Sequence, residues 1–397
     1  MVSKKILGSG IGVGILISTI VGIAIYNEYL DPFSSTSNDR TVTDFLGRKV
    51  DLPDADKIER VVGIQPGSLR LLTYMDAEDL VCGVEEIERT MDYGRPYIYA
   101  YPELSDLPSI GPAFGGEAEL ILAQEPDVIF ATLESIQSAD ELQDLTGIPV
   151  IVLNYGEDFG DLQMDDLYKS LEIIGEVLDK ENRADYIIDY MKDLIENLDD
   201  RTKDIDDDDK EWIYLGGIGK RGVHGITSTD CQYEPLEFIN GKNSASDVGE
   251  GYYSIDIEQL FQWEEDDELD YILVDGGGYG ACMVDLQDES GTYGSSGAGA
   301  GLLHCIHDSD PVRAIMVLPY NFYNPNIENI FINAYYLGNR FFPEKFDDLN
   351  YTDGKLYDTI YNEFLGEEVY DDMADYYVPN YEGFHNISKS EIADYRS

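Results

Sequence analysis

The residue types that bind anions are concentrated in one short stretch of this chain, GKRGVHGIT at residues 219–227. Lys220, Arg221 and His224 stand there between glycines, in a sequence with only 26 Lys and Arg against 80 Asp and Glu. Arginine offers a planar fork that binds a carboxylate, phosphate or metal oxyanion through two hydrogen bonds, and glycine lets the backbone approach a ligand closely. The stretch therefore predicts a contact for an anionic ligand. An exposed loop and local charge compensation are the alternative interpretations.

Three other loops follow predicted strands, at residues 65–68, 88–99 and 319–324, and the last two carry Arg or Tyr. Tyrosine combines a hydroxyl donor with a flat apolar face, which suits an aromatic chelate or a macrocycle. For Arg95 the alternative is a salt bridge to a nearby carboxylate, and for His224 it is a loop histidine satisfied by its neighbours. For each tyrosine the alternative is a half-buried core or surface position. The predicted ligand-binding residues are Arg95, Tyr97, Tyr99, Arg221, His224 and Tyr320.

Other stretches resemble metal-binding or nucleotide-binding motifs, but each lacks a residue or a spacing that the motif requires. The HCIH stretch at 304–307 has zinc-ligand residue types but no evident fourth ligand. The glycine-rich stretches at 275–280 and 294–301 fit neither a dinucleotide fingerprint nor a P-loop, because the spacing and the lysine are missing. No nucleophile elbow or HExxH motif occurs. The sequence predicts no enzyme, no catalytic residue, no resident cofactor and no metal site.

The elements that must position these loops are those of an α/β fold. Short apolar runs are each followed by turn residues and a helix-like stretch, which is typical of a mainly parallel sheet. The segments 119–132 and 257–276 resemble each other, which indicates two related lobes facing a common cleft. The apolar runs lie at 60–64, 80–84, 127–132 and 149–154, and again at 212–217, 271–275 and 313–318.

The middle of the chain has helical periodicity without proline, from 165 to 200. It is either one long helix or two helices joined near Lys180 to Asn182. The predicted fold is thus two Rossmann-like α/β lobes joined by a long rigid helix. The predicted segments are an N-terminal α/β lobe at 41–163, a connecting helix at 164–203 and a C-terminal α/β lobe at 204–397.

The 21 uncharged residues 6–26, near the N-terminus, predict a membrane segment. A helix of that length spans the roughly 30 Å hydrocarbon core of a bilayer. Lys4 and Lys5 precede it and Glu28 follows it, so the positive-inside rule places the remaining chain outside. Residues 1–30 are predicted to be an uncleaved transmembrane anchor on the outer face of the cytoplasmic membrane, with a cleaved signal segment as the alternative. Residues 31–40 form a polar tether.

Composition limits the partners. A net charge of -54 repels phosphate backbones and anionic lipid surfaces, so nucleic-acid binding is excluded. The four cysteines, without CxxC spacing, are either extracellular disulfides or buried thiols.

Several segments, in order along residues 41–366, resemble a known family. They are TVTDFLGRKVDLPD, IERVVGIQPG, LPSIGPAFGGEAELILAQEPDVIFAT, ENRADYIIDYM and LGNRFFPEKFDDLN. The chain resembles the substrate-binding proteins of ABC importers, in the class that carries iron-siderophore chelates, haem or cobalamin. The resemblance implies two α/β lobes bridged by a rigid helix, a ligand held between them, and delivery to a membrane permease and its ATPase. It implies a monomer without catalysis.

The segments GKRGVHGITST, YGRPYIYAYPEL and LPYNFYNPNIENI resemble an archaeal-type branch of iron-compound or metal-oxyanion binders. The resemblance leaves open a ferric chelate, haem, cobalamin, or an oxyanion such as molybdate or tungstate. It also implies that acidic residues on the lobe tips dock with permease arginines, and Glu103 lies in a matching region. The remaining alternatives are a sensor without transport and a chelatase-like metal-handling enzyme.

Overall fold

The computed structural model describes residues 40–90, 94–132, 135–157, 161–220, 222–287, 313–351, 354–376 and 383–395. Within these ranges, no helix combines the length and the apolar character that crossing a bilayer requires. The predicted membrane segment at 6–26 lies outside the described residues. So do Arg221 and the HCIH stretch at 304–307.

The first half of the chain is built on short strands rich in valine and isoleucine. Those of the central sheet are fully buried, as expected for a parallel sheet covered on both faces. Alternate residues face opposite sides: Val61 and Phe130 point into one apolar core, and Val62 and Ile129 into another. The strands are β1 (Thr41–Thr43), β2 (Lys49–Asp51), β3 (Val61–Ile64), β4 (Val81–Gly83), β5 (Val128–Ala131), β6 (Val150–Val152), β7 (Gly156–Glu157) and β8 (Asp161–Leu162).

Strands β3 to β6 form the central parallel sheet in the order β4-β3-β5-β6, while β1-β2 and β7-β8 are antiparallel pairs. The helices of this half are α1 (Ser68–Tyr74), α2 (Pro96–Ala100), α3 (Ala118–Leu122) and α4 (Ile136–Thr146). The elements β1–β8 and α1–α4 are called lobe 1 below.

Two helices, rather than one, follow lobe 1: α5 (Met164–Leu178) and α6 (Glu181–Thr202). The prediction of a single long helix is wrong, and the two-helix alternative is the one observed. The break occurs because Asp179 adopts a left-handed backbone conformation with φ 58°, which ends the first helix. Helix α5 contacts β1 of lobe 1.

The second half contains a larger sheet. Its strands are β9 (Trp212–Gly216), β10 (Ser228–Asp230), β11 (Lys242–Asn243), β12 (Tyr252–Ser254), β13 (Tyr271–Asp275), β14 (Arg313–Val317) and β15 (His385–Ile387). The sheet order is β11-β9-β13-β14-β15, in which only the edge strand β15 is antiparallel. Strands β10 and β12 form a separate antiparallel pair.

The helices of the second half are α7 (Glu234–Phe238), α8 (Ile257–Glu265), α9 (Tyr279–Gln287), α10 (Ile327–Phe341), α11 (Lys355–Leu365), α12 (Tyr370–Tyr376) and α13 (Lys389–Asp394). The elements β9–β15 and α7–α13 are called lobe 2 below. Helix α6 contacts α7 and α10 of this lobe. The domain boundaries given above, at 163 and 203, stay predictions.

One apolar core continues through both lobes. Tyr74 of α1 packs the edge of its ring against Phe364 of α11, with the ring centroids 5.1 Å apart. Arg183 of α6 donates hydrogen bonds to the carbonyl oxygens of both residues, at 2.8 and 3.0 Å. The two lobes and the connecting helices are therefore packed against one another.

Candidate functional site

The loops at the carboxyl ends of the parallel strands of the two lobes meet one another. In open α/β sheets this edge is where ligands bind. The Asn324 side-chain amide of lobe 2 donates to the carbonyl oxygen of Pro66 in lobe 1, at 3.3 Å. The rings of Phe114 in lobe 1 and Tyr323 in lobe 2 pack edge to face, 5.4 Å apart. The space bordered by these loops is called the cleft below.

Glu85, two residues after β4, connects three of these loops. Its Oε1 accepts the Gly115 N–H at 2.6 Å, and its Oε2 accepts the Gln65 N–H at 3.0 Å. The Tyr323 hydroxyl of lobe 2 donates to the same Oε2 at 2.8 Å and accepts the Phe114 N–H at 2.8 Å. Burial raises the pKa of the Glu85 carboxyl to about 7, although these hydrogen bonds oppose the increase. Glu85 therefore ties lobe 1 to lobe 2 at the cleft.

Arg70 makes a second connection between the lobes, and it is fully buried. Its guanidinium donates to the Tyr155 hydroxyl at 2.8 Å and to the Asn326 side-chain oxygen at 2.7 Å. It also donates to the carbonyl oxygens of Phe322, Asn324 and Pro325, at 2.8, 3.0 and 3.0 Å. Arg70 thus holds the lobe 2 loop at 322–326 against helix α1 of lobe 1.

Arg95 and Tyr97 are buried in lobe 1 around a shared carboxylate. Arg95 pairs with Glu88 at 2.5 Å, and the Tyr97 hydroxyl donates to both oxygens of Glu88 at 3.0 and 2.9 Å. Burial, and then the charge of Glu88, raise the pKa of Tyr97 well above its ordinary value. The geometry of Arg95 is that of the salt-bridge alternative. Both side chains support the loop rather than line open space.

Tyr320 is likewise buried, in lobe 2. Its hydroxyl donates to Oε2 of Glu234 at 2.7 Å, and its backbone N–H donates to Asp275 at 2.7 Å. Asp275 ends β13 and also accepts the Gly277 N–H at 2.8 Å. Burial raises the pKa of Asp275 to about 7. These bonds fix the loop after β14, which carries the residues that reach lobe 1.

The loop after β9 contains Lys220 and His224. Both side chains are half-buried. The Nε2 atom of His224 lies 2.8 Å from the carbonyl oxygen of Lys220, so the loop closes on itself. The Lys220 ammonium lies over the ring of Tyr252, 4.9 Å from its centroid. This arrangement places two basic groups beside an aromatic face.

Glycine and one carboxylate hold this loop in place. Asp285 of α9 accepts the Ile226 N–H at 2.9 Å. A Cβ atom at Gly225 would lie 1.8 Å from the same carboxylate, so any other residue would displace it. Gly222 has φ 143°, which only glycine adopts readily. The glycines of this stretch therefore serve its local geometry.

Exposed apolar side chains occur on both lobes. Phe114 of lobe 1 is 53% exposed, Val223 of lobe 2 is 68% exposed, and Tyr253, next to Tyr252, is 40% exposed. Surface residues of this size in so acidic a chain offer contacts to the apolar part of a ligand. No group of three or more His, Cys, Asp or Glu among the described residues could hold a metal ion.

Residues 61–290 match the family model described as periplasmic binding protein. This is more than half of the chain. The chain belongs to the periplasmic binding protein family. The resemblance found in the sequence is thus confirmed at the level of the family.

Two curated relatives of this periplasmic binding protein are similar in sequence. The molybdate-binding protein MolA of Haemophilus influenzae is 26% identical over 242 residues, which cover 57% of this chain and 66%, just under two thirds, of MolA. The uncharacterized ABC transporter substrate-binding lipoprotein YvrC of Bacillus subtilis is 24% identical over 275 residues, covering 68% of this chain and 78% of YvrC. Both are binding proteins, which are not enzymes, and neither supports the narrower archaeal-type branch.

The fold is also similar to that of a solved binding protein. The structure of MolA bound to molybdate has a TM-score of 0.63 and 22% identity, covering 83% of this chain and 99% of MolA. A periplasmic solute-binding protein from Veillonella parvula has a TM-score of 0.62 and 19% identity, covering 85% and 96%. At these identities the likeness establishes the fold of the binding protein and not its ligand.

The other predicted residues of this binding protein are Tyr99, Glu103 and the cysteines. Tyr99 is half-buried on α2 and packs against the apolar core. Glu103 is exposed in the short 3-10 helix Pro102–Asp106. Of the cysteines, Cys82, Cys231 and Cys282 are buried, and Cys305 lies outside the described residues.

Sequence reasoning missed Arg70, Glu85 and Tyr323. Arg70 had a detectable signal, because it is a lone cation inside the otherwise apolar or small helix SLRLLTY. A buried arginine needs partners for its donors, so it marks a packed polar contact. Glu85 had no such signal, since it is one of 80 acidic residues.

Proposed function

We propose that this chain is the substrate-binding component of an ABC importer. It captures an iron chelate or a related metal compound in the cleft and delivers it to the permease. The observation that carries the proposal is the half-buried basic loop with Lys220 and His224, which also carries the exposed side chain of Val223. Basic groups beside an exposed apolar side chain suit an anionic complex that has an organic part.

In this proposal the ligand contacts are His224, Arg221 and Tyr99. Arg95, Tyr97 and Tyr320 have positioning roles, because each is buried and hydrogen-bonded to a carboxylate. A ligand would have to break those bonds in order to reach them, which costs free energy for every buried group left unpaired.

The test is a calorimetric and thermal-shift screen of residues 40–397 against ferric chelates, haem, cobalamin, molybdate and tungstate. We expect at least one ferric chelate, haem or cobalamin to raise the Tm without being turned over. A double variant, Arg221→Ala with His224→Ala, should remove that shift. The matched control, Lys57→Ala with Lys203→Ala, removes two exposed cations and should retain it. If no compound in the screen stabilises the protein, the proposal is wrong.

A second candidate function is a receptor for molybdate or tungstate. It is supported by the similarity to MolA, whose name states that it binds molybdate. In the same screen this function requires stabilisation by molybdate or tungstate and no effect of the chelates.

Permease docking through Glu103 is part of the proposal. Its carboxylate is exposed on lobe 1, where an arginine of a permease could pair with it. Glu103→Arg should lower ligand uptake by a reconstituted permease while ligand affinity in solution stays unchanged. Unchanged uptake would exclude Glu103 from the docking surface.

We also propose that residues 6–26 anchor the protein to the outer face of the cytoplasmic membrane. After expression of the full chain, the protein should sediment with membranes and resist extraction by carbonate. Release of a shortened chain into the soluble fraction would favour the cleaved signal segment instead.

A further inference from the structure

Donors from both lobes converge on the carboxylate of Glu85, which is only 1% exposed. The backbone N–H groups of Gly115 and Gln65 come from two different loops of lobe 1, and the hydroxyl of Tyr323 comes from lobe 2. Converging backbone N–H groups and a hydroxyl are the arrangement with which proteins bind carboxylates and oxyanions. Here a side chain of the protein itself occupies that arrangement.

The donors have supports other than Glu85. The Gln65 carbonyl accepts the Ser68 N–H at 3.4 Å, and the loop that carries Gly115 is closed by a bond from Gly116 N–H to the Pro112 carbonyl at 3.1 Å. Tyr323 accepts the Phe114 N–H and packs against the Phe114 ring. The three donors are therefore expected to stay together when the carboxylate is removed.

Glu85 has no cationic partner among the ion pairs of the described residues. Arg95, in the same part of lobe 1, is paired with Glu88 instead. At a pH above about 7, where the Glu85 carboxyl is mostly ionised, a carboxylate held by neutral donors alone repels a second anion placed beside it, because no cation offsets its charge. A free oxyanion at this point of the cleft would meet both an occupied set of donors and a like charge.

We infer that Glu85 determines specificity: its carboxylate occupies the anion-binding donors of Gly115, Gln65 and Tyr323 and keeps small free oxyanions, such as molybdate, out of this part of the cleft. Polar recognition of the ligand is then left to the lobe 2 loop with Lys220 and His224. This inference rests on the proposed function for the location of the ligand, and it favours the chelate over the oxyanion.

The test replaces the carboxylate by an added anion. Glu85→Ala should lower the Tm, because three donors lose their acceptor. Sodium formate should then restore part of it, by a shift on the order of 2 °C above that of sodium chloride at equal ionic strength. Acetate and molybdate are tested in the same way. The wild-type protein should show no such difference between formate and chloride.

The matched control is Glu234→Ala. Glu234 is also a buried glutamate that accepts a tyrosine hydroxyl, but the neighbouring Asp230 would repel an added anion. Formate should therefore have no specific effect on this variant. An equal formate effect in both variants would show a general cavity effect and overturn the inference.

Two further outcomes overturn it. One is a Glu85→Ala variant that responds to formate, acetate and molybdate no more than to chloride. The other is a wild-type protein that binds molybdate and loses this binding in Glu85→Ala. If Glu85→Ala does not fold in chloride, Glu85→Ser, which keeps a hydroxyl acceptor, is measured in its place under the same criteria.

The result is separable from the ligand screen. If no chelate binds the wild-type protein but formate rescues Glu85→Ala, the proposed function fails and the role of Glu85 stands. If a chelate binds the wild-type protein and formate has no effect on Glu85→Ala, the proposed function stands and the role of Glu85 fails.

Discussion

The two lobes differ in what they present to the cleft. On the lobe 1 side Glu85, Glu88 and Arg95 are buried and already bonded, as in the pair of Arg95 with Glu88. On the lobe 2 side Lys220 and His224 are half-buried, and Val223 between them is largely exposed. A buried, bonded group can contact a ligand only by giving up its partners. The difference indicates that lobe 1 provides a fixed wall and that lobe 2 provides the polar contacts.

A similar carboxylate in each lobe shows the same contrast. Asp275 ends β13 of lobe 2, Glu85 lies two residues after β4 of lobe 1, and burial raises the pKa of each carboxyl to about 7. Asp275 accepts N–H groups of its own lobe, from Gly277 and Tyr320. Glu85 instead accepts a hydroxyl from the opposite lobe, that of Tyr323. Asp275 stabilises a loop within one lobe, whereas Glu85 joins the two lobes.

The largest expected effect on stability comes from removing the hydrogen bonds that Arg70 of lobe 1 makes to the lobe 2 loop at 322–326. Arg70→Met removes the donor of the Phe322, Asn324 and Pro325 carbonyl oxygens and one hydrogen bond to the Tyr155 hydroxyl. It also leaves the buried Glu328, which hydrogen-bonds Tyr74, without a nearby cation. We expect the free energy of unfolding to fall by about 3–5 kcal/mol, measured by urea denaturation.

The control for this variant is Arg201→Met. Arg201 pairs with Asp348, whose side chain is mostly exposed, so the loss should be about 1 kcal/mol or less. Equal losses in the two variants would mean that Arg70 does not hold the lobes together.

Much of the sheet could be predicted from the sequence, because buried parallel strands leave apolar runs bounded by turn residues. The runs at 127–132, 149–154 and 271–275 coincide with β5, β6 and β13. Strand β15 left no such signal, since it is a three-residue edge strand, HNI, with one buried residue. The end of α5 was ambiguous because Asp179, rather than glycine, takes the left-handed conformation.

The contacts between the lobes could not be predicted, because their partners are distant in sequence. Arg70 meets residues 322–326, and Glu85 meets Tyr323, about 240 positions further along the chain. Arg95 and Glu88 are only seven positions apart. Even so, in a chain with 80 acidic residues, sequence alone does not indicate which carboxylate pairs with Arg95.

A second, smaller difference is expected between Arg95, which stabilises lobe 1, and His224, which in the proposed function contacts the ligand. Arg95→Met leaves Glu88 buried without its cation and should cost about 2–4 kcal/mol of stability. In the folded fraction the ligand affinity should be nearly unchanged. His224→Ala should do the opposite, lowering ligand affinity about tenfold or more while stability changes by about 0.5 kcal/mol or less.

Urea denaturation and calorimetry with the ligand found in the screen distinguish the two patterns. A loss of affinity in Arg95→Met without a loss of stability would place Arg95 in the binding surface. The conclusion that lobe 1 provides only a fixed wall would then be wrong.

The smallest expected effect is the change in unfolding free energy per pH unit that the two buried carboxyls cause. The folded-state pKa values of Glu85 and Asp275, about 7, lie above the unfolded values of about 4.3 and 3.9. Between these values the folded state binds more protons, so the stability contributed by each group is complete below about pH 4 and is lost as the pH rises to 7. The change is at most about 1.4 kcal/mol per pH unit for each group.

Glu85→Gln and Asp275→Asn should each flatten the decline in unfolding free energy between pH 5 and 7, measured by urea denaturation at each pH. The exposed Glu103→Gln serves as the control and should leave the slope unchanged. Because Glu85 joins the lobes and Asp275 does not, only Glu85→Gln should also remove the pH dependence of the contact between lobes, followed by hydrogen exchange at Phe114 N–H. If Asp275→Asn changes that exchange equally, the two carboxylates act as one coupled unit, and the distinction between the lobes fails at this point.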